Sequence, residues 1–197
     1  MSAATRTKTP AELERWLQLR VELLEVSPTV RRRIIVPESI TLPRLHRVLQ
    51  GTLGWTDSHL REFVINGVRY SEPDPDWTDE LKQVDERRVV LHRALGTEAR
   101  CFDYIYDFGD DWHHIVVVED PYATVTGREA GIQCIAGENA CPPEDVGGPH
   151  GYAEFLRAIA DPDHDEHENY LGWIGRRFDP ALFDLDTAQR ALAKIKN

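Results

Sequence analysis

Cysteine is scarce in this 197-residue chain, which has only Cys101, Cys134 and Cys141. Three thiols cannot build the disulfide framework that stabilises small secreted domains. The first ten residues also lack the apolar segment of a signal peptide. We therefore expect a cytoplasmic protein whose thiols are free or bound to a metal ion.

Long apolar runs and an excess of positive charge are also missing. No run is long enough to cross a bilayer, so we expect no membrane segment. The net charge of -11 predicts an acidic surface, which disfavours broad electrostatic binding to nucleic acid. With 41% hydrophobic residues the chain can bury a core. We expect a disordered tail over residues 1–14 and a single domain over residues 15–197.

Three pairs of strands are predicted from local patterns. Apolar and polar residues alternate from Trp16, and "RRRIIVP", residues 31–37, follows as the returning strand. Asn66-Gly67 between apolar runs is typical of a tight hairpin turn. The runs "RCFDYIYD" and "WHHIVVVED" predict a third hairpin, in which we expect Gly109 to take a positive φ.

Helical patterns occur after the first hairpin and near the end of the chain. Thr41 is a suitable N-cap for a helix that ends at Gly51 or Gly54. The Gly-, Pro- and Cys-rich stretch 131–152 is expected to be an irregular loop. Helices are predicted over residues 151–160, over residues 163–175 and after a cap at Asp186. The sequence therefore indicates an α+β fold, with a mostly antiparallel sheet of hairpins packed against a helix near residues 41–51 and C-terminal helices.

Four stretches carry a family resemblance when they are considered together: "LHRVLQGTLGWTDSHLREF", "YDFGDDWHH", "CPPEDVGGPHGYAEFL" and "FDPALFD". In this order they resemble the plasmid pRiA4b ORF-3-like family, some of whose members are labelled insertion-sequence passenger proteins of a TnpR type. The resemblance covers about Val21 to Asp184 and implies a compact α+β domain without an assigned activity. Arg61 departs from the family, since similar proteins commonly have histidine there. The family-type positions present here are His59, Asp107, Gly109, Asp110, Trp112, His114, Cys141, Pro142, Pro143, Glu144, Asp145, Gly147 and Gly148.

The third hairpin contains the first candidate site. Asp107, Asp110, Asp111 and His114 offer oxygen ligands and one imidazole, a set that suits Mg²⁺, Mn²⁺ or Zn²⁺. The alternative is structural: the aspartates cap the turn, while Trp112 packs inward and His114 points outward along its strand.

Two other clusters could also hold a metal ion. Cys134, Cys141 and His150 are zinc-ligand types, but the spacing of the thiols does not match a zinc knuckle. The alternative is that Cys134 is buried and that "CPPEDVGG" is a rigid loop, with Gly147-Gly148 permitting close approach to another segment. His164 and His167 lie one helical turn apart, which suits chelation or an ordinary solvated helix start.

The run Arg31-Arg32-Arg33 is the densest local positive charge of the first hairpin. In a strand Arg31 and Arg33 point one way and Arg32 points the other, so the run does not form a three-armed phosphate patch. We expect a solvent-facing hairpin edge that its charges protect from pairing with other chains.

These residues leave two functions open, and they do not decide whether the chain is an enzyme. One is a cytoplasmic binding or adaptor module, associated with mobile elements, that binds a protein partner through a polar surface. The other is a metal-dependent hydrolase, acting for example on phosphodiesters, with a divalent ion held by Asp, His and Glu side chains. Both require the bend near Gly109 to lie beside the segment after Cys141. The predicted binding residues are His59, Asp107, Asp110, Trp112, His114, Glu144 and Asp145, and the predicted metal ligands are Asp107, Asp110, His114, Cys134, Cys141 and His150.

Overall fold

A single eight-stranded sheet forms the centre of the protein. The computed structural model describes residues 15–73, 83–125, 131–175 and 177–195, so the predicted tail over residues 1–14 lies outside the described residues. The strands are β1 Trp16–Leu23, β2 Arg31–Pro37, β3 Arg61–Ile65, β4 Val68–Ser71, β5 Gln83–Asp85, β6 Cys101–Tyr106, β7 Trp112–Asp120 and β8 Gln133–Glu138. Their order is β5-β4-β3-β6-β7-β1-β2-β8, and only the β4–β5 pair is parallel. The predicted α+β class with a mostly antiparallel sheet is confirmed.

The described helices are α1 Leu42–Leu53, α2 Leu91–Leu95, α3 Gly148–Ala160, α4 His167–Ile174 and α5 Leu185–Leu192, with a 3₁₀ turn at Glu86–Arg88. As predicted, α1 has Thr41 at its N-cap and ends at Gly54, whose φ of 90° is left-handed. The N-cap of α5 is Asp184 and not the predicted Asp186, because the Asp184 side chain accepts the Thr187 N–H. None of the helices in these ranges is long and apolar enough to span a membrane.

The three predicted hairpins are β1–β2, β3–β4 and β6–β7. Asn66 and Gly67 both have positive φ, at 52° and 75°, as a type I′ turn requires. In the β6–β7 turn the positive φ belongs to Asp107 (59°) and Asp111 (53°), so the prediction for Gly109 is wrong. Aspartate tolerates this region because its short side chain can hydrogen-bond locally.

Strand β8 lies within the stretch that was predicted to be an irregular loop. It pairs with β2, so β2 is an interior strand and the prediction of a hairpin edge at "RRR" is wrong. The outer side of β8 is partly covered by α5, where the Gln189 side chain accepts the Cys134 N–H at 2.8 Å.

The core lies between one face of the sheet and the helices. Leu17, Leu19, Val21 and Leu23 are buried at alternating positions of β1. Helix α1 buries its apolar face and packs against α5. Each fully buried aliphatic side chain contributes about 1.5–3 kcal/mol to the stability of the fold. This packing holds the strands in place and so fixes the position of the loops at their ends.

Candidate functional site

The β6–β7 turn is closed by Asp107. Its Oδ1 accepts the N–H groups of Gly109 (2.9 Å) and Asp110 (3.3 Å), and its carbonyl oxygen accepts the Asp111 N–H. The predicted turn-capping role is therefore present for one carboxylate oxygen. The other oxygen, Oδ2, faces His59 at 3.5 Å.

The loop that follows Cys141 packs directly on this turn. The Gly147 N–H donates to Asp110 Oδ2 at 3.2 Å. A Cβ atom on Gly148 would lie 2.5 Å from the Asp110 carbonyl oxygen, so only glycine allows this approach. The prediction that the acidic bend and the segment after Cys141 are neighbours is confirmed, as is the close approach at Gly147-Gly148.

Glu144 holds the loop in place. Its Oε2 accepts the N–H and hydroxyl of Thr56, and its Oε1 accepts the Tyr106 hydroxyl at 2.6 Å. Burial, together with the bond to Glu144, raises the pKa of Tyr106, so this phenol stays protonated and donates. Trp55 adds a further bond from Nε1 to the Pro142 carbonyl. The Glu144 carboxylate is therefore engaged by the protein itself.

Replacing Glu144 with alanine is expected to lower the free energy of unfolding by about 2 kcal/mol, because three hydrogen bonds to a charged acceptor are lost, each weakened by the solvent that reaches the site. The matched change Asp145→Asn, at a neighbouring side chain that is 71% exposed and with a residue that tolerates the φ of 60° there, is expected to stay within about 0.5 kcal/mol of wild type. Urea unfolding of both variants measures the difference. Equal losses would contradict the structural role of Glu144.

His59 lies between the turn and the loop, just before β3. Its Nδ1 is 3.5 Å from Asp107 Oδ2, and its Nε2 is 3.1 Å from Asp145 Oδ1. Nε2 is shielded from solvent, yet it forms no hydrogen bond of acceptable geometry. The imidazole therefore faces a carboxylate on each side without a well-formed hydrogen bond to either.

Ligand atoms of His59, Asp107 and Asp145 all lie within 4.8 Å of one another. An ion about 2.1 Å from each ligand separates neighbouring ligand atoms by about 3.0–3.4 Å. Nδ1 faces Asp107 and Nε2 faces Asp145, so only one of the two nitrogens can bind the ion, and the carboxylate at the other nitrogen has to move towards it. Among the described residues, no other group of at least three His, Cys, Asp or Glu side chains comes this close together.

His114 and Trp112 belong to the core. His114 is fully buried, packs edge-on against Trp55, and hydrogen-bonds through Nδ1 to the Tyr104 carbonyl. Burial lowers the pKa of His114 to about 4. The predicted outward orientation of His114 is wrong, and within the described ranges this imidazole does not join Asp107 and Asp110 in a possible ligand set.

The other predicted metal ligands are not brought together among the described residues. Cys134 is buried, with a pKa raised to about 11 by burial, and burial also raises the pKa of Cys141. His150 is exposed in the first turn of α3. The imidazoles of His164 and His167 contact α3, through Glu154 Oε1 and the Ala158 carbonyl oxygen respectively.

A buried polar network beside His59 was not predicted. His46 hydrogen-bonds through Nδ1 to the Tyr104 hydroxyl and through Nε2 to Asp57, and Gln50 bonds both Tyr104 and the Asp57 N–H. Arg61, the departure from the family pattern, pairs with the buried Glu86 at 2.7 Å. The available signal was His46 and Gln50 spaced by four on the face of α1 that also carries leucines.

Both the sequence and the fold of this chain are similar to those of known proteins. The family model described as plasmid pRiA4b ORF-3-like protein matches residues 15–187. The protein named "Uncharacterized protein y4hQ" from Sinorhizobium fredii is 44% identical over 178 residues, covering 89% of this chain and 90% of its own. The solved structure titled as a protein of unknown function, MM3350, from Methanosarcina mazei Go1 has the same fold. It is 33% identical, has a TM-score of 0.78, and covers 88% of this chain and 97% of its own.

Proposed function

The chain belongs to the plasmid pRiA4b ORF-3-like family, and from that premise we propose that it is a binding module that holds a divalent cation through His59, Asp107 and Asp145. The observation that carries the proposal is the convergence of one imidazole and two carboxylates from three separate segments of the chain. Two carboxylates near one imidazole suit Zn²⁺ or Mn²⁺. An ion here would also relieve the repulsion between Asp107 and Asp145.

The bound ion ties the β6–β7 turn to the loop after Cys141. Because Asp145 is 71% exposed, the outer side of the ion stays open to water or to a group from a protein partner. Asp110 and the turn surround it with further polar surface, whereas Glu144, Trp112 and His114 serve to hold or support that surface. An association with mobile elements stays a prediction that rests on the family resemblance alone.

The cation site is tested by titrating chelator-treated protein with Zn²⁺ and Mn²⁺ in a calorimeter. One ion per chain is expected. Asp145→Asn should weaken binding by more than about tenfold, since loss of an outer-shell partner alone typically costs about 10–100-fold. Asp111→Asn is the matched control, because it removes the same charge from an exposed position in the adjacent turn. The absence of saturable binding, or equal effects of the two variants, would refute the site.

A metal-dependent hydrolase is the second candidate. The supporting observation is that the candidate ligands number three, a number that would leave coordination positions for water, as catalytic sites require. This function predicts slow hydrolysis of a chromogenic phosphodiester that a chelator abolishes and that Asp107→Asn lacks. Metal binding without any hydrolysis would leave the binding module as the function.

A further inference from the structure

Arg32 differs from both neighbours in the arginine run. Arg31 pairs with Glu22 and Glu138, and Arg33 pairs with Glu119, all on the exposed face of the sheet. Arg32 points to the opposite face and is 2% exposed. Among the described residues, no carboxylate lies within ion-pair distance of its guanidinium.

Neutral groups hold the Arg32 side chain. Nε donates to the Thr52 carbonyl at 2.8 Å, and Nη1 donates to the carbonyls of Arg31 and Glu138. The Phe183 ring lies 4.3 Å from the guanidinium carbon, in cation–π contact. These contacts solvate the charge but do not neutralise it, and a buried charge without a counter-ion is costly. Burial accordingly lowers the pKa of Arg32, although arginine stays protonated.

Arg32 is one of the residues that line a cleft of about 460 Å³. The cleft lies between the C-terminal end of α1, the segment 140–144 and the segment 177–188. Its size falls within the range of about 300–1,000 Å³ that is typical of small-molecule sites. Apolar wall residues are Leu53, Trp55, Phe178, Leu182 and Phe183.

The acidic side chains of the cleft do not compensate Arg32. Glu144 is bonded to Thr56 and Tyr106, as described above. Asp184 caps α5, and Asp179 accepts the Ala181 N–H in its own turn. Asp179 and Asp184 are exposed, so water screens their charges, whereas the Arg32 charge is buried.

We propose that this cleft binds a small organic oxyanion, a carboxylate or phosphate group carried on an apolar body, with Arg32 as the charge partner of the oxyanion. Because Nε and Nη1 donate to carbonyl groups, the N–H groups of Nη2 are those left for the oxyanion among the described contacts, and the apolar walls match the body of the ligand. The site uses none of His59, Asp107 and Asp145, so it stands independently of the cation proposal.

Benzoate and phenyl phosphate are suitable probes, with benzyl alcohol as the neutral control. Binding is measured at constant ionic strength from NMR shifts of the Trp55 indole N–H and the Arg32 Nε–H. At least one anion is expected to bind about tenfold more tightly than benzyl alcohol, as a charge-assisted hydrogen bond implies. Equal binding of all three probes, or no shift at either group, would overturn the proposal. Benzoate and phenyl phosphate together reveal which oxyanion is preferred.

Leu182 provides variants that do not endanger the fold, because this cleft residue is 60% exposed. Leu182→Lys should tighten anion binding by about threefold or more, and Leu182→Glu should weaken it by a similar factor, as expected for one added charge near a surface site. The same changes at Leu171, exposed on α4 and outside the cleft, should have little effect. Arg32→Met should abolish the preference for anions, and if that variant does not fold, the opposite signs at Leu182 decide. Changes of the same sign at Leu182, or equal changes at Leu171, would contradict an anion site.

Discussion

Replacing Gly148 with alanine is expected to lower the free energy of unfolding by at least about 3 kcal/mol and to abolish cation binding. The added Cβ would lie 2.5 Å from the carbonyl oxygen and 3.3 Å from the carbonyl carbon of Asp110. Both are backbone atoms of the turn, so neither can move aside as a flexible side chain would. The φ of +67° adds strain for any residue with a Cβ. Urea unfolding and metal titration measure the two effects.

Gly67→Ala is the matched control for backbone strain. Gly67 has a similar φ of +75°, but a Cβ there would have nothing within 4 Å. Its expected cost is about 1 kcal/mol, so the difference between the variants isolates the contact with Asp110. If the two substitutions cost the same, the turn and the loop are not held as closely as the structure has them.

Acidification from pH 7.5 to pH 4 is expected to remove about 3 kcal/mol of stability for each of two imidazoles, His46 and His114. Burial is the main reason that both have a pKa of about 4 in the folded chain, whereas the unfolded value is near 6.5. Between these values the unfolded chain binds more protons. The free energy of unfolding is therefore not reduced by these histidines above pH 6.5, and it falls by about the stated amount as the pH falls towards 4. Glu86 opposes this trend, because burial raises its pKa.

The pH effect is checked by urea unfolding at several pH values for the wild type and for His46→Gln and His114→Gln. Each variant should lose about half of the pH dependence between 6.5 and 4. His92→Gln, at an exposed histidine of α2, should retain the wild-type dependence. An unchanged slope in both buried variants would show that carboxylates alone cause the acid sensitivity.

The predicted parts of the fold are those that local chemistry determines. Asn66-Gly67 and the alternation in β1 specify hairpins within a few residues of sequence. Strand β8 could not be found in this way, because its partner β2 lies about a hundred residues earlier and the wider stretch around it, residues 131–152, is rich in glycine. Gly137 is needed there because a Cβ would lie 2.5 Å from the Phe183 ring. A residue that favours a loop locally is thus required by a distant contact.

The candidate site was predicted only in part, because the role of a side chain depends on contacts that residue type alone does not reveal. The resemblance pointed to His59, Asp107 and Asp145, but it could not separate ligand types from structural groups such as Glu144. The error at His114 was avoidable. Side chains two positions apart in a strand share a face, so an inward Trp112 requires an inward His114. His114, although histidine is a common metal ligand, therefore lies in the core because of its position in β7.

The hydrogen bond from the Cys134 N–H to Gln189 limits strand pairing between two molecules at the edge of the sheet. Strand β8 ends the sheet, and an open border of this kind presents amides that a strand from another molecule can use. The Gln189 carboxamide oxygen accepts the Cys134 N–H, which an added strand would otherwise bind through a backbone carbonyl. Helix α5 also contacts β8 and occupies space that an added strand would need. Helix α5 thus blocks the addition of a strand from another molecule at the β8 edge, in addition to its part in the core.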